Sequence, residues 1–196
     1  MTDYIGSPVK RVEDKRFLTG RGRYTDDIVL PNMAYAVIVR SPYGHARINS
    51  ISTEAARNHP GVVAVFTGQD IAADGINPIP TGWQIGENMK EPPHHTLAID
   101  KVRHVGDGVA VVIAERKAEA RDAADLVEID YEVLDAVVDA SEALEDGVPL
   151  VHEGAPNNLS FEWELGDRDA TDQALAQAHH VTTYEFVNQR LIPNAI

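Results

Sequence analysis

Histidine is the side chain best suited to moving protons or holding metals near neutral pH. The chain has 196 residues, eight of them histidine, and no cysteine. Four histidines come as adjacent pairs, His94-His95 and His179-His180. Neighbouring residues point to opposite faces of a strand and lie about 100° apart on a helix, so neither pair can easily share one ion. The i, i+3 or i, i+4 spacing of a ligand pair is absent, which favours surface or core histidines over a metal site. The lack of cysteine removes disulfides, thiolate zinc, a cysteine nucleophile and cysteine-ligated iron–sulfur clusters from this chain.

Ser41-Pro42-Tyr43-Gly44-His45-Ala46-Arg47 follows an apolar run. At the end of a strand, His45 and Arg47 could meet an anion or a partner chain. A tight turn required by Pro42 and Gly44, with its polar residues solvated, is the favoured reading. Gly106 and Gly108 in Val105-Gly106-Asp107-Gly108 permit close backbone approach, and a plain turn into a strand accounts for them. Gly20-Arg21-Gly22 precedes no strand-to-helix unit and reads as a turn, not a nucleotide loop. G-x-S-x-G, H-E-x-x-H and Walker patterns are all missing. Carboxylates are plentiful, but catalytic pairs need burial and convergence that this spacing does not supply. Catalytic, cofactor-binding and metal positions are each assigned to no residue.

The elements that could position these groups are short. Ala34–Arg40, Val62–Thr67 and Gly108–Ala114 are continuous apolar runs of strand length, expected to be buried on both faces. Val127–Val133 alternates apolar with acidic residues, as a strand with one wet face does. Ser52 or Thr53 can cap a helix over 54–58, stopped by Pro60-Gly61. Glu115–Leu126 places Ala120, Ala123, Ala124 and Val127 on one helical face. Residues 74–97 carry no period, and a loop of that length is functional or covers a partner. Leu159–Leu165 and Val181–Val187 read as strands around a helical Asp169–His179. The expected class is α+β with a mixed sheet.

Charge excludes several roles. Lys plus Arg number 17 against 31 Asp plus Glu, a formal net charge of -14. Such a field repels nucleic acid and anionic membrane. No apolar run approaches the ~20 residues of a membrane span, and the opening residues lack a secretory pattern, so a cytoplasmic protein is expected. Residues 1–25 are net basic, while residues 115–146 are strongly acidic. The basic lead is read as a solvated extended segment in preference to a docking arm.

Segment order adds a resemblance. Gly6–Asp14 (GSPVKRVED) and Phe17–Asp27 (FLTGRGRYTDD) resemble the opening of the large subunits of molybdenum hydroxylases, the carbon monoxide dehydrogenase, xanthine dehydrogenase and aldehyde oxidase relatives. Arg40–Ile48 is similar to the family's R-S-x-x-x-H-A-x-I stretch, and Pro60–Gly68 to its P-G-V-x-A-V-x-T segment. Val105–Val112, Ala123–Val127 and Asp130-Tyr131-Glu132 continue the match, and Phe161–Asp167 resembles the entry to the molybdenum-binding region. The resemblance spans nearly the whole chain, somewhat closer to the carbon monoxide dehydrogenase branch.

It implies an extended lead over 1–18, an α/β-hammerhead domain over 19–137, a connector over 138–156 and the first strands of a molybdopterin-binding domain over 157–196. It also implies a parent oxidoreductase with molybdopterin-bound molybdenum, and FAD and [2Fe-2S] centres on partner subunits. The family's pterin loops and catalytic glutamate match nothing here, so the chain is expected to be inactive alone, a scaffold that meets the rest of the large subunit and its partners. A free-standing binding or assembly module with the same fold is the alternative; a small hydrolase is disfavoured by the lack of a nucleophile motif. The apolar ending reads as a chain cut inside a larger domain. Phe161, Trp163, Phe186, Leu191 and Ile192 are then expected to lack full burial, or to bury against a second copy as a homodimer.

Overall fold

In the computed structural model, which describes residues 5–187, the three apolar runs form one sheet. They are β1 (Tyr35–Arg40), β3 (Val62–Thr67) and β5 (Gly108–Ala114), with β5 in the middle. Both pairings are antiparallel, Tyr35 and Val62 each facing Ala114. A second antiparallel sheet sets β2 (Ala46–Ser52) between β4 (Lys101–Val102) and β6 (Glu128–Val133). The expected α+β class holds, but every strand pair among the described residues is antiparallel, not mixed. Only β5 is buried on both faces; β1 and β3 alternate, because each is an edge with one face toward the core.

β5 links two cores. Val109 packs with Ala46, Ala98 and Val102, and Val112 with Ala56, Val65 and Ala123. The first core takes Ile48, Ile51, Ile129 and Tyr131 from the second sheet. Ile48 and Ile51 are three apart, an odd spacing for one strand face. A register shift between Ile48 and Ser50 inserts the extra residue that turns both inward. This bulge hides β2 from a period-two reading.

Among the described residues five α-helices accompany the sheets: α1 (Asp14–Leu18), α2 (Glu54–Arg57), α3 (Gly68–Ala73), α4 (Lys117–Ala124) and α5 (Arg168–Gln177). α4 lies on β1 and β5 through Ala120 and Ala123, both fully buried, on the alanine face expected from the sequence. Thr53 precedes α2 without a side-chain cap bond; its hydroxyl accepts from Arg57 Nε at 3.0 Å. α3 opens with a capping box. Asp70 accepts from the Thr67 amide at 2.7 Å, and hydrogen bonds from Thr67 hold its carboxyl below the ordinary value. Gly68 lies against the backbone of residues 98–99, where a Cβ would sit 2.1 Å from the Ala98 carbonyl oxygen. That contact fixes the run leading into β4.

The basic lead is not wholly extended. α1 ends in it, Arg16 lies over the Phe17 ring at 5.0 Å, and Phe17 stacks on Tyr24. Just after the lead, Lys117 of α4 donates to Asp26 at 2.7 Å. Leu159–Leu165 and Val181–Val187 form no strand, since no neighbouring strand among the described residues offers them hydrogen bonds. The expected first strands of a further domain are therefore absent here. α5, capped by Asp167, stands between them with no buried residue.

Candidate functional site

The long run 74–97 is expected to be a functional or partner-covering loop. Its end and the turn before β5 enclose, with residues 151–152, a pocket of about 180 Å³. Four of the eight histidines line it: His94, His95, His104 and His152. The His94 and His104 rings meet edge to face, 6.4 Å between centroids. His95 Nδ1 is buried without a hydrogen-bond partner.

Arg103 builds one wall. Its Nε donates to the Val151 carbonyl at 3.1 Å, and its Nη1 to the Lys101 carbonyl at 3.2 Å. Its backbone amide donates to Asp107 at 3.0 Å, and the same carboxylate oxygen lies 3.8 Å from His104 Nδ1. Lys101 is ion-paired with Glu153, and Arg103 stands 3.8 Å from the other oxygen of that carboxylate. The Lys101 hydrogen bond first, with the Glu153 amide and both cationic charges, brings the Glu153 carboxyl down to about 2. Burial, then the Arg103 charge, pushes His152 below its ordinary value; Glu153 and Asp107 oppose that. Among the described residues no group of three or more His, Cys, Asp or Glu is placed to hold a metal ion.

The other sequence candidates lie elsewhere. His45 is 7% exposed, and its Nδ1 stands 2.7 Å from the Asp135 carbonyl, which can only accept, so that nitrogen carries the proton. His45 thus pins the chain after β6; its Nε2 is buried and unpartnered. Arg47 crosses to Glu132 at 3.2 Å on a half-exposed sheet face. Gly106, at φ +89, makes the turn docked on Ser41: its amide donates to the Ser41 carbonyl, and the Ser41 amide to the Asp107 carbonyl, both at 2.8 Å. Gly108 packs where a Cβ would crowd Ile38 and Leu97. His179 and His180 are exposed, His180 meeting only the Thr182 hydroxyl at 3.0 Å. Sequence reading placed His94-His95 but missed His104 and His152. Nothing in the spacing of 94, 104 and 152 announces that the connector folds back on β4.

Phe161, Trp163 and Phe186 are 40%, 66% and 72% exposed, as expected, while Leu191 and Ile192 lie outside the described residues. Among the described residues no helix is long and apolar enough to cross a membrane.

Known proteins with this pattern are consistent in kind. The carbon monoxide dehydrogenase large chain of Afipia carboxidovorans is 36% identical over 98% of this chain and 24% of its own length. The nicotine 6-hydroxylase large subunit of Paenarthrobacter nicotinovorans is 39% identical over 91% of this chain and 21% of its own. The crystal structure of the Cu,Mo-CO dehydrogenase in its carbon monoxide reduced state superposes with a TM-score of 0.70 at 37% identity, covering 89% of this chain and 23% of that one. The chain therefore spans about a quarter of the length of these relatives. The family profile described as aldehyde oxidase and xanthine dehydrogenase, a/b hammerhead domain, matches residues 19–135. With its two antiparallel sheets bridged by β5, the chain belongs to the aldehyde oxidase and xanthine dehydrogenase family, whose a/b hammerhead domain it carries.

Proposed function

We propose that this chain is the N-terminal part of a molybdenum hydroxylase large subunit. In that role it scaffolds the cofactor-holding remainder and meets neighbouring subunits that carry FAD and [2Fe-2S] centres. The carrying observation is the match along 98% of this chain to only 24% of a carbon monoxide dehydrogenase large chain. Residues 19–137 serve as the hammerhead domain, 138–156 as the connector, and 157–196 as the beginning of the molybdopterin-binding domain, after a lead over 1–18. The parent reaction is oxidation of carbon monoxide, an aldehyde or a heterocycle.

The described residues do not fit a resident metal. They offer no ligand cluster, and the chain has no thiolate. No step of the parent reaction is assigned to them, and the chain alone does not turn over. Their work is structural. The alternation Leu159, Phe161, Trp163, Leu165 is a strand pattern whose apolar side chains lie partly or largely exposed. A sheet supplied by further polypeptide would cover them.

Elemental analysis tests the assignment. The purified 196-residue chain should hold molybdenum far below one atom per chain. Co-expressed with the remainder of a large subunit, it should join a complex that carries the metal. Stoichiometric molybdenum on the isolated chain would overturn the reading.

A further inference from the structure

The connector after β6 is a built segment. Asn158, in the left-handed region at φ 56, accepts the Val151 amide at 2.8 Å and donates to the Ala143 and Pro149 carbonyls, both at 3.0 Å. The closed loop so formed meets the domain at residues 151–153. Val151 is held by Arg103, Glu153 by Lys101, and between them His152 enters the histidine-lined pocket. No strand pairing ties residues 134–158 down.

We infer that residues 143–158 are a proton-gated strap: when the His152 imidazole takes up a proton, the strap lifts from β4.

The groups facing His152 decide the sign. From the run before β4 come His94 and His95. From the segment 100–107 come Asp100, Lys101, Arg103, His104 and Asp107, and the strap itself brings Glu153. Arg103 is a permanent cation, so a protonated His152 meets a like charge. The carboxylates are largely committed: Asp107 to the Arg103 amide, Glu153 to Lys101, while Asp100 is exposed on the rim. Burial already favours neutral His152. A histidine whose folded pKa is depressed holds its stabilisation above the unfolded value of about 6.5 and loses it as pH falls below. The strap is therefore closed near neutral pH and loosens in mild acid. The open population grows by a factor approaching ten per pH unit for one proton taken up.

Hydrogen exchange on the full chain reads this directly, after correction for intrinsic rates. The Arg103 Nε–H, which donates to the Val151 carbonyl across the contact, reports the strap, and the amides of β5 report the domain. Between about pH 7.5 and 5.5 the Arg103 Nε–H opening constant should rise several-fold to tenfold while β5 stays unchanged. In His152→Gln the ratio should stay flat within about twofold. A flat ratio in the unmodified chain, or an unaltered slope in His152→Gln, overturns the proposal. Should His152→Gln lose β5 protection and so fail to fold, the His152 ring is titrated by NMR in the unmodified chain. A midpoint below about 6.5 that coincides with the exchange transition supports the strap; one at or above that value overturns it.

Discussion

Gly68 sets the position of the run that leads into the histidine pocket, and replacing it by alanine measures how firmly. The new Cβ would stand 2.1 Å from the Ala98 carbonyl oxygen and 2.6 Å from its carbon. Packed atoms of this kind keep more than 3 Å apart, so α3 or the 98–99 backbone must retreat by about 1 Å. Neither side can yield by rotating a side chain. The Ala98 amide is already committed to the Gly108 carbonyl at 2.7 Å. Overpacking costs typically 1–3 kcal/mol, and a backbone clash belongs at the upper end. Alanine returns up to about 1 kcal/mol through helix propensity and a stiffer unfolded chain. The net loss is about 2 kcal/mol, a fall of roughly 4–8 °C in Tm for a chain of this size. Thermal and urea unfolding of Gly68→Ala should show it. Gly82→Ala is the control, because nothing lies within 4 Å of its Cβ position; it should move stability by less than about 0.5 kcal/mol. If Gly68→Ala melts within a degree of Gly82→Ala, the idea that α3 buttresses the pocket is refuted.

Other expectations follow from the same contacts. Asn158→Ala removes three hydrogen bonds at about 1 kcal/mol each, so Val151 amide exchange should rise roughly 30- to 150-fold at neutral pH with β5 unaffected; an unchanged rate would show the loop closes without Asn158. His45→Phe should cost about 1–3 kcal/mol in urea unfolding by stranding the Asp135 carbonyl, and His45→Asn less, because its amide can donate there. Glu153, held down to about 2 by Lys101, stabilises above its ordinary value of 4.5 and loses that as pH falls from 4.5 toward 2. The carboxylate is 67% exposed, so Glu153→Gln should cost under about 1 kcal/mol at pH 7 and nearly nothing near pH 2; an equal cost at both pH values would exclude the ion pair as the cause. Trp83 and Trp163, 80% and 66% exposed, should quench readily with acrylamide, and Trp163 should become protected in a complete large subunit.

The parts of the fold legible in the sequence were those whose periodicity is local. Val62–Thr67 and Gly108–Ala114 coincide with β3 and β5 because each is a short run without charged residues and rich in β-branched ones. The alanine face of α4 coincides with its buried face because 3.6-residue spacing is all it needs. β2 was hidden by its bulge, and β4 by being two residues long and held by β2 alone. Leu159–Leu165 shows the converse failure. Its alternation is as regular as that of β6, yet β6 has β2 beside it and 159–165 has no sheet edge to join. Pattern reports which face a strand would bury; pairing decides whether a strand exists.

The same distinction governs the site. His45 stands in a motif that reads as exposed turn chemistry, but β6 returns beside β2 and brings Asp135 to its ring, making it a structural pin. His152 stands in a connector with no motif, yet the return of that connector over β4 sets it among Arg103, Glu153, His94 and Asp107. In both cases the contact joins residues 40 to 90 positions apart, a separation that no window of local spacing spans. A chain whose chemistry lies in such returns discloses family by the order of its segments, and discloses its own working residues only when the segments are folded against one another.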